Sequence, residues 1–564
     1  MDAISSSKRQ KVSEGIGERS STVTSTGSVL SYTDNNGPRT PRKGEVVVEE
    51  RKKKTIFDRL YGSIEMEPLL IAVMDTEEFQ RLDRIAQLGG SSYVYPSAKH
   101  SRKEHSIGVA HLAGKMVRRL RDSIPISDDD VLCVEVAGLC HDMGHGPYSH
   151  MWESVFSESS HEKMSQELVR RVAEKIKFGD YFQDKTRNHV EFVCELIEGG
   201  EGFLYDIVSN SRSGVDVDKI DYLQRDAMAT LGTRAPFDIN RLLHSCRVID
   251  DQVWFEEKVA MDINSIFAMR ADLHRQVYQH RVANVAELMI TDVLRVADES
   301  DFRVCGARLS DAAKNPAIFV KLTDGILEAI TMSTARGLEA AHAILDRLTR
   351  RDYYRGVGSG RAIPTLPLCA NCSHETQIRD KFCAKCGRST KDRDYVLVEG
   401  RRVPPAVDRS DKDWQRLLAE RSGVDRATFT VVVSKVKRGW PRAVSDPYGN
   451  EWVDYDPIAN VSFYNPKRPP SEWKKSPKLS KMYLPQRMLE RVVYCYYKEK
   501  KFADYDRLEQ AFNALFGNFA VDEGRSNINS PSPQRVSCTT PTSQLSLLHQ
   551  AHRGDFDSPT KTAL

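Results

Sequence analysis

The chain has 564 residues, of which 40% are apolar and 29% are charged, and its formal net charge at pH 7 is +3. This near-neutral balance argues against a general polyanion-binding protein, and no run of about 20 apolar residues predicts a membrane span. The charged N-terminus lacks the apolar stretch of a secretory signal. Eleven cysteines in such a chain favour metal binding or core packing over disulfides. We therefore expect a location in the nucleus, the cytoplasm or both.

The two ends of the chain are predicted to be disordered. Residues 1–50 are rich in Ser, Thr and Gly and carry the basic run Lys8-Arg9-Gln10-Lys11, and residues 521–564 form a Ser/Thr/Pro-rich tail. Neither segment contains enough large apolar residues to offset the entropy lost on ordering. The basic run is a candidate nuclear-import signal. Ser/Thr-Pro dipeptides at 40, 532 and 558 resemble kinase sites, although unused dipeptides explain them equally well.

Residues 51–352 are dominated by helical patterning, which predicts a mainly α core. In HSIGVAHLAGKMVRRL the apolar residues recur near a 3.6-residue period. DVLCVEVAGLCHDMGHG is more apolar and should form a buried helix that runs up to its His-Asp pair. The stretch 265–298 is predicted to form one long helix.

The remaining sequence predicts an insertion followed by a mixed α/β lobe. Within residues 353–400 four cysteines follow the spacing C-x₂-C-x₁₀-C-x₂-C, which favours tetrahedral Zn²⁺ ligation in a zinc-ribbon-like element: Cys369, Cys372, Cys383 and Cys386. A site closed by four thiolates is structural, so we expect no catalysis there. Residues 401–520 contain short β-type segments such as TFTVVVSKV, then helical patterning at 484–516.

A second candidate metal site is formed by histidines and aspartates in the helical region. His141 and Asp142 are adjacent, but two ligands cannot complete a coordination shell, so a distant His105 and a distant Asp218 are predicted to close it. Taken singly, a core or surface histidine and a helix-capping aspartate are simpler interpretations of these residues. The cluster of further histidines at 145, 150 and 161 favours the metal site, because the chain has only 15 histidines.

Here the sequence resembles the family of SAM-and-HD-domain dNTP triphosphohydrolases. The resemblance covers about residues 55–350, with weaker similarity to about 515, and no counterpart of the SAM domain is expected. It is carried, in the family's order, by the strings QRLDRIAQLGGSSYVYPSAKHSRKEHSIGVAHLAG, AGLCHDMGHGPYSHMWE, FLYDIVSNSRSGVDVDKIDYLQRDAMATLG and ADLHRQVYQHRVAN. The resemblance implies a helical HD-domain core with a mixed α/β C-terminal lobe.

The resemblance also implies an activity, its cofactors and its residues. A divalent ion (Fe, Mn, Mg or Zn) would be held by His105, His141, Asp142 and Asp218, and Mg²⁺ would accompany a dNTP that is hydrolysed to deoxynucleoside and triphosphate. Such an ion can lower the pKa of bound water from about 15.7 towards roughly 7. The matching catalytic group is His145, the first choice as general acid, with His150, His161 and Glu162. The matching substrate-binding residues are Gln87, Leu88, Arg102, Lys219, Tyr222, Asp226, Arg270, His274, Tyr278 and Gln279. Among them, Tyr222 would exclude the 2′-OH of a ribonucleotide.

Regulation by nucleotides is a further implication of the resemblance. Animal members assemble as tetramers around guanine-nucleotide and dNTP activators, and the matching positions here are Lys54, Asp75, Gln80, Arg241, Lys258 and Arg281. Three family cations are lost: Asp83 and Glu256 replace arginines, and Cys495-Tyr496 replaces a Cys-Lys pair. We therefore expect nucleotide activation whose specificity or necessity differs from that of the family.

Two other interpretations remain open. Another HD-type phosphohydrolase, such as a monophosphatase or a cyclic-nucleotide phosphodiesterase, would share the metal ligands without needing triphosphate-binding cations. The stretch PKRPPSEWKKSPKLSK at 466–481 combines cations with Trp473, which suits single-stranded nucleic acid. Such binding would be an addition to the enzyme.

Overall fold

The computed structural model describes residues 52–158, 160–361, 396–398, 401–403, 410–437, 457–473, 489–499 and 504–516. The predicted disordered segments 1–50 and 521–564 lie outside these residues. So do the four cysteines of the predicted zinc element.

Helices form most of the region from residue 53 to residue 352, together with two short sheets. The hairpin strands Lys54–Asp58 (β1) and Gly62–Met66 (β2) pair antiparallel, as do Cys246–Ile249 (β3) and Gln252–Glu256 (β4). The helices are Pro68–Met74 (α1), Glu77–Gln80 (α2), Arg102–Leu120 (α3), Asp128–Cys140 (α4), His150–Val155 (α5), His161–Ile176 (α6), His189–Glu198 (α7), Tyr205–Val208 (α8), Val217–Thr230 (α9), Ile239–His244 (α10), Ala260–Leu273 (α11), Arg281–Glu299 (α12), Leu309–Ala312 (α13), Pro316–Phe319 (α14), Ile326–Met332 (α15) and Glu339–Thr349 (α16).

At the centre of this core, helices α3 and α4 pack against each other. Both helices are explained by their sequences. The α4 helix starts at a reciprocal capping box between Ser127 and Asp130 and has acidic residues throughout its first turn, where the helix dipole favours them. Its apolar residues are buried on every side, as the sequence predicted. Gly138 brings α4 close to α3, because a Cβ there would lie 3.2 Å from the Cα atom of Ala110. The C-terminal end of α4 is thereby fixed against α3.

The prediction of one long helix over residues 265–298 is wrong. The α11 helix ends at Leu273, a π-helical turn covers His274–Tyr278, and α12 begins at Arg281. Apolar periodicity continues across this break, so it could not reveal the interruption. A π turn widens the helix and changes the direction of the side chains that follow it, and the predicted pocket residues 274, 278 and 279 lie at this point.

The C-terminal lobe is a three-stranded antiparallel sheet with helices on one face. Its strand order is Arg355–Arg361 (β5), Leu489–Tyr497 (β10) and Phe429–Lys437 (β8). Residues 492, 494 and 496 of β10 belong to the main core, whereas residues 493, 495 and 497 pack in a second core. This alternation follows from the two-residue period of a strand. The second core also contains side chains of Asp411–Ser422 (α17) and Tyr505–Phe516 (α18).

Two predicted boundaries change in this lobe. The insertion was predicted to begin at residue 353, but Tyr353 and Tyr354 are buried in the main core and β5 belongs to the C-terminal sheet. Helical patterning was predicted over 484–516, but residues 489–497 form the central strand and the described helix begins at Tyr505. Strand residues that are buried on both faces lack the polar alternation that marks a half-exposed strand.

Two further strand pairs complete the described structure. Val396–Val398 (β6) pairs antiparallel with Arg401–Val403 (β7), and Phe463–Tyr464 (β9) pairs parallel with β4. Among the described residues, every helix is too short or too polar to cross a bilayer.

Candidate active site

Four predicted ligand side chains from separate segments meet inside the helical core. His105 lies on α3, His141 and Asp142 directly follow α4, and Asp218 lies in the first turn of α9. The Nε2 atom of His105 is 3.1 Å from Asp218 Oδ1 and 3.5 Å from Asp142 Oδ2. The Nε2 atom of His141 is 3.5 Å from Asp142 Oδ1 and 3.5 Å from Asp218 Oδ1. The structure thus brings together residues more than a hundred positions apart.

The chemistry of these four side chains fits a divalent cation. His141 directs Nδ1 at the carbonyl oxygen of Gly138, 2.8 Å away, so Nε2 carries the lone pair. That Nε2 atom is buried without a hydrogen-bond partner, and it faces two carboxylates that would repel it unless a positive charge lay between them. Ligand atoms about 3 to 3.5 Å apart can share one ion at roughly 2.0–2.2 Å.

Both carboxylates of this cluster stay ionised. Burial by itself raises the pKa of Asp218, but the hydrogen bonds and charges of His105 and His141 together outweigh it and hold that pKa far below its usual range. Burial also opposes ionisation of Asp142, but the charges of Arg102 and the neighbouring histidines together overcome it, so the pKa of Asp142 lies well below normal. The cluster therefore attracts positive charge to its centre, and binding a divalent ion would displace the acidic protons of nearby imidazoles.

A second layer of side chains, none of which was predicted from the sequence, orients His105. The Nδ1 atom of His105 is 2.7 Å from Asp221 Oδ2. Asp221 in turn accepts two hydrogen bonds of 2.9 Å from Arg225 and one of 2.7 Å from the Tyr61 hydroxyl. Arg225 also donates to Asp58 at 3.0 Å. A carboxylate on the far nitrogen fixes the ring and the tautomer of a metal-binding histidine. The i, i+3 spacing of Asp218 and Asp221 on α9 was the available signal.

The predicted catalytic histidines also form one cluster. The ring of His145 stacks on that of His161 with centroids 4.0 Å apart, and the ring of His150 is 4.8 Å away. His161 Nε2 is 3.4 Å from Glu162 Oε1, whereas its Nδ1 is 2.6 Å from Oε1 of Glu153, a residue that was not predicted. His145 also reaches the metal cluster, since its Nε2 is 3.3 Å from Asp142 Oδ1.

A glycine allows these histidines to come together. A Cβ at Gly144 would lie 2.0 Å from the carbonyl oxygen of His161, so only glycine permits this approach of the loop after α4 to the start of α6. The Ser165 hydroxyl links the same segments, accepting from the Gly144 N–H at 2.8 Å and donating to the His141 carbonyl at 2.7 Å. Gly144 is not among the site residues predicted from the sequence.

Protonation differs between the two stacked rings. Burial, reinforced by the charge of Arg102, holds the pKa of His145 well below its usual value. Burial acts in the same direction on His161, but its hydrogen bond to Glu153 and the negative charges of Glu153 and Asp142 together outweigh burial and raise the pKa of His161. Without a bound anion, the proton of this pair therefore belongs to His161.

Two cations predicted to bind phosphate border the cluster and are already paired. Arg102 is buried, and its Nη1 lies 2.5 Å from Asp142 Oδ2 while its Nε donates to the Ser149 hydroxyl at 2.7 Å. Lys219 Nζ is 2.6 Å from Asp216 Oδ2. Arg102 therefore neutralises a metal-binding carboxylate in addition to any contact that it makes with a ligand.

The residues predicted to bind the sugar and base line the next part of α9 and the π-helical turn. The Tyr278 hydroxyl donates to Asp226 Oδ2 at 2.6 Å, and the unpredicted His100 places Nε2 2.7 Å from Asp226 Oδ1. The ring of Tyr222 lies 6.4 Å from that of His105. Gln87 and Leu88 precede the turn Gly89–Tyr93, and the Gln87 N–H donates to the carbonyl oxygen of His100 at 3.0 Å.

The π turn positions the last predicted pocket residues. The ring of His274 meets that of Tyr278 edge-on at 4.9 Å, and its Nδ1 is 3.4 Å from Gln279 Nε2. Burial, assisted by the charge of Arg270, lowers the pKa of His274 to about 3, so this ring is neutral at physiological pH. Ser434 on β8 donates a hydrogen bond to Gln279 Oε1. This contact ties the C-terminal sheet to the pocket.

Comparison with known proteins identifies the family. Residues 102–226 match the HD domain model, and this range contains all four candidate metal ligands. Over 488 residues the chain is 32% identical to chicken deoxynucleoside triphosphate triphosphohydrolase SAMHD1, covering 79% of this chain and 72% of the chicken protein. The chain belongs to the SAMHD1 family.

Other members of the SAMHD1 family match over a shorter range. The human protein is 38% identical over 346 residues, which is 54% of this chain and 55% of the human one. The SAMHD1 homologue of Dictyostelium discoideum is 37% identical over 321 residues, covering 54% of this chain and 60% of the homologue. The chain therefore spans a little over half the length of each of these two relatives.

Five of the six predicted activator positions lie in two surface groups, and the sixth, Arg281, begins α12. Lys54 Nζ is 3.5 Å from Asp75 Oδ2, and Gln80 donates to the Met74 carbonyl at 2.6 Å. In the second group, Arg241 donates to the Lys258 carbonyl at 2.8 Å. The structure brings Lys54 near Asp75 and Arg241 near Lys258 within this single chain.

The departures from the family pattern have structural consequences. Glu256 Oε2 lies 2.5 Å from Lys258 Nζ and neutralises that candidate phosphate contact. Asp83 is 3.9 Å from Lys103. Cys495 is buried in the second core, and the Tyr496 hydroxyl is 3.4 Å from the Arg281 carbonyl oxygen, so an aromatic ring stands where the family has a lysine.

The predicted nucleic-acid stretch 466–481 is described only to Trp473. There the indole Nε1 donates to the carbonyl oxygens of Asn465 at 2.9 Å and Arg468 at 3.1 Å. The ring also contacts Tyr464 and Trp254, with centroids 5.9 and 6.3 Å away. This tryptophan is therefore part of a local aromatic cluster.

Proposed function

We propose that the protein is a metal-dependent dNTP triphosphohydrolase that converts a dNTP and water into a deoxynucleoside and inorganic triphosphate. One observation carries the proposal: each of two imidazoles lies within 3.5 Å of both of two carboxylates, and the ring of Tyr222 lies 6.4 Å from the ring of His105. The names of its relatives, which describe deoxynucleoside triphosphate triphosphohydrolases, support the same substrate class.

The reaction breaks the bond between the α-phosphorus and O5′ of the deoxyribose. A divalent cation at the His105 cluster would polarise the phosphate oxygens and lower the pKa of attacking water. Arg102 and Lys219 border the same site, where a triphosphate with several negative charges needs cations. Asp221 keeps the His105 ring in a fixed orientation. The departing O5′ requires a proton from the protein.

The stacked histidines are suited to deliver that proton. His145 is the predicted general acid, but burial and Arg102 keep it neutral in the structure described here. A bound polyanion would raise the pKa of His145, and the protonated His161, held by Glu153, lies 4.0 Å away, centroid to centroid. We propose that His145 takes up its proton from solvent as the polyanion binds, and that Glu153 holds His161 so that its ring fixes the orientation of His145.

The sugar would be selected by Tyr222 and Asp226. The Asp226 carboxylate already accepts from Tyr278 and lies against His100, so its orientation is fixed before any ligand binds. A carboxylate so oriented suits a 3′-OH donor, and a tyrosine ring packed against C2′ would exclude the 2′-OH of a ribonucleotide.

The decisive experiment is an assay of the full-length protein with each dNTP, with and without GTP, in which released triphosphate is measured. We expect triphosphate from dNTPs and none from dNMPs or cyclic nucleotides, which would be the substrates of another HD-type phosphohydrolase. The double variant His141→Ala/Asp142→Ala should release none. Phosphate or diphosphate as the first product would contradict the proposal.

A matched double variant controls for loss of folding. His189 and Asp129 form a second buried His–Asp pair, 3.5 Å apart, outside the site. His189→Ala/Asp129→Asn should retain triphosphate release per folded molecule, as judged by circular dichroism. Equal losses in both double variants would trace the effect to folding instead of metal binding.

The steric role of Tyr222 has its own test. Tyr222→Ala should increase the ratio of GTP to dGTP hydrolysis by about tenfold or more, since packing alone discriminates by factors of that order. An unchanged ratio would show that another residue excludes the 2′-OH.

We further propose that nucleotides regulate the enzyme through assembly of copies of the chain. The exposed cations Lys54, Arg241 and Lys258 support this proposal, because such side chains can exchange their present carboxylate partners for phosphate. Sedimentation of the protein with and without GTP and dNTP tests it: we expect a larger oligomer, a tetramer by analogy, only with nucleotide.

A further inference from the structure

Asp324 joins two loops that border the candidate active site. It lies between α14 and α15, and its carboxylate accepts hydrogen bonds from two distant backbone N–H groups. Oδ2 is 2.8 Å from the Ala86 nitrogen, and Oδ1 is 2.6 Å from the Tyr148 nitrogen. The Tyr148 hydroxyl donates back to the Asp324 carbonyl at 3.2 Å. One side chain thus fastens the segment before Gln87 to the segment after His145.

The second of these loops has an unfavourable backbone conformation. Tyr148 and Ser149 have φ values of 59° and 61°, although neither is glycine. Non-glycine residues adopt this region only when the surroundings hold them there. Asp324 supplies part of that hold by accepting the Tyr148 N–H.

The strained turn supports a group that contacts the metal cluster. The Ser149 hydroxyl donates to the Ala86 carbonyl at 2.7 Å and accepts from Arg102 Nε at 2.7 Å. Arg102 then reaches Asp142, a candidate metal ligand. A continuous chain of hydrogen bonds therefore runs from Asp324 through the turn to Arg102 and Asp142.

Arg81 holds the same loop from the opposite side. It is fully buried and donates to the carbonyl oxygens of Met143 at 2.9 Å, His145 at 2.8 Å and Leu322 at 3.0 Å. Leu322 is two residues from Asp324, so the segment 322–324 contacts the active-site loop through both a cation and an anion. Two independent sets of hydrogen bonds, one through Arg81 and one through Asp324, therefore hold this loop.

We propose that Asp324 is a positioning residue, which sets the Tyr148–Ser149 turn and Ala86 so that Arg102 is aligned on Asp142 and Gln87 on the nucleotide pocket. This inference deepens the proposed hydrolase function and rests on it for its kinetic test. In this proposal Asp324 acts through Ser149 and Arg102 instead of contacting substrate or metal.

The test compares Asp324→Asn with Asp129→Asn in the full-length protein. Asp129 is a matched control, because it too is buried and accepts backbone N–H groups, from Gln183 at 2.9 Å and Asp184 at 2.8 Å, at the far end of α4. At Asp324 the two N–H groups bond different carboxylate oxygens, so an asparagine there turns its own N–H group toward one of them. Assays at pH 8 keep Asp324 ionised, since burial raises its pKa to about 6.

We expect Asp324→Asn to lower kcat/KM at least about tenfold and to weaken Mn²⁺ binding by a similar factor, as for other residues that orient metal ligands. Ser149→Ala should lower kcat with less change in KM, because it removes only the support of Arg102. The double variant should lose less than the product of the single effects, since both act through one chain of contacts. Asp129→Asn should remain within twofold of wild type per folded molecule.

Equal effects of Asp324→Asn and Asp129→Asn, or changes within twofold in Asp324→Asn, would overturn the inference. If Asp324→Asn fails to fold, Ser149→Ala decides, and unchanged kcat in that variant contradicts the route through Arg102. If wild type releases no triphosphate, the proposed function fails, whereas calorimetric Mn²⁺ titration of the same variants still tests the positioning role.

Discussion

The charges around His105 and the charges around Lys258 belong to the same chain but lie in opposite environments. His105, Asp142 and Asp221 are almost completely buried, and each has a partner on another helix. The side chains of Lys54 and Lys258 are 63% and 54% exposed and pair with carboxylates at the surface. In the buried site, Coulomb energies are large and geometry is fixed by packing, whereas exposed pairs are screened by water and salt.

This difference in burial predicts how each region responds to substitution. A buried ligand or its orienting carboxylate cannot be replaced by solvent, so losing one leaves its partner unsatisfied. A surface pair can exchange its partner for water, so losing one charge shifts affinity modestly. The following predictions test that contrast, beginning with the largest effect.

Removing one buried ligand should have the largest effect. Asp218→Ala should abolish hydrolysis and measurable Mn²⁺ binding. This effect is larger than the loss of about 10–100-fold that is typical when a residue that orients a metal ligand is removed. The measurements are triphosphate release and calorimetric titration with Mn²⁺. Substitution of the surface residue Asp75 by alanine should leave Mn²⁺ binding unchanged, and loss in both variants would remove the contrast between the two regions.

Removing the carboxylate behind His105 should have the next largest effect. Asp221→Asn should weaken Mn²⁺ binding by about 10–100-fold, because it loosens the His105 ring and leaves Arg225 with less compensation. Asp206→Asn is the matched control, since Asp206 is a buried aspartate bonded to Arg212 away from the site. Identical metal affinity in Asp221→Asn and wild type would refute the orienting role.

A buried carboxylate near the pocket predicts a pH dependence of stability. Burial raises the pKa of Glu287 to about 7, although the Gly90 N–H, 3.1 Å away, opposes the shift. Because this pKa is raised above its unfolded value, its stabilising contribution is complete below about pH 4.5 and is lost as the pH rises through about 7. Glu287→Gln should therefore gain melting temperature relative to wild type at pH 8, by roughly 2–4 °C.

The same comparison at pH 5 provides the control for Glu287. Wild type should be largely protonated there, so the difference between the two proteins should shrink. A difference that is constant from pH 5 to pH 8, measured by differential scanning calorimetry, would show that the effect is not the ionisation of this carboxyl.

The smallest effect is expected at the surface. Glu256→Gln frees Lys258 from its partner and should lower the GTP concentration for half-maximal activation by about 1.5- to 5-fold, the range that an exposed ion pair of up to 1 kcal/mol permits. Raising the salt concentration should diminish this gain. Asp272→Asn, which breaks the exposed pair with Arg275, should have no such effect. A change exceeding that at Asp221 would reverse the ranking.

Local patterns in the sequence were sufficient for part of the fold. The periodicity of α3, the buried character of α4 and the β-type stretch at 428–436, which corresponds to the strand Phe429–Lys437, all reappear as elements. The long helix over 265–298 and the helix proposed at 489–497 do not. In both cases apolar residues continue through the segment, and apolar content alone distinguishes neither a π turn from an α-helix nor a doubly buried strand from a helix.

The candidate site shows the same division. Residue type alone makes His105, His141, Asp142 and Asp218 possible ligands, and residue type is known directly from the sequence. Their mutual distances, the stacking of His145 on His161 and the support from Asp221, Glu153 and Asp324 depend on where remote helices pack.

By itself the sequence determined the mainly helical class, the chemical types of the candidate ligands and the positions where cations expected from the family resemblance are replaced. Only the tertiary structure decided which charges are buried together, because burial depends on contacts between segments separated by up to about 240 residues, as between Ala86 and Asp324. Side-chain pKa values and ligand spacing follow from those contacts. A linear pattern carries residue chemistry, whereas the local dielectric environment is a property of the packed chain.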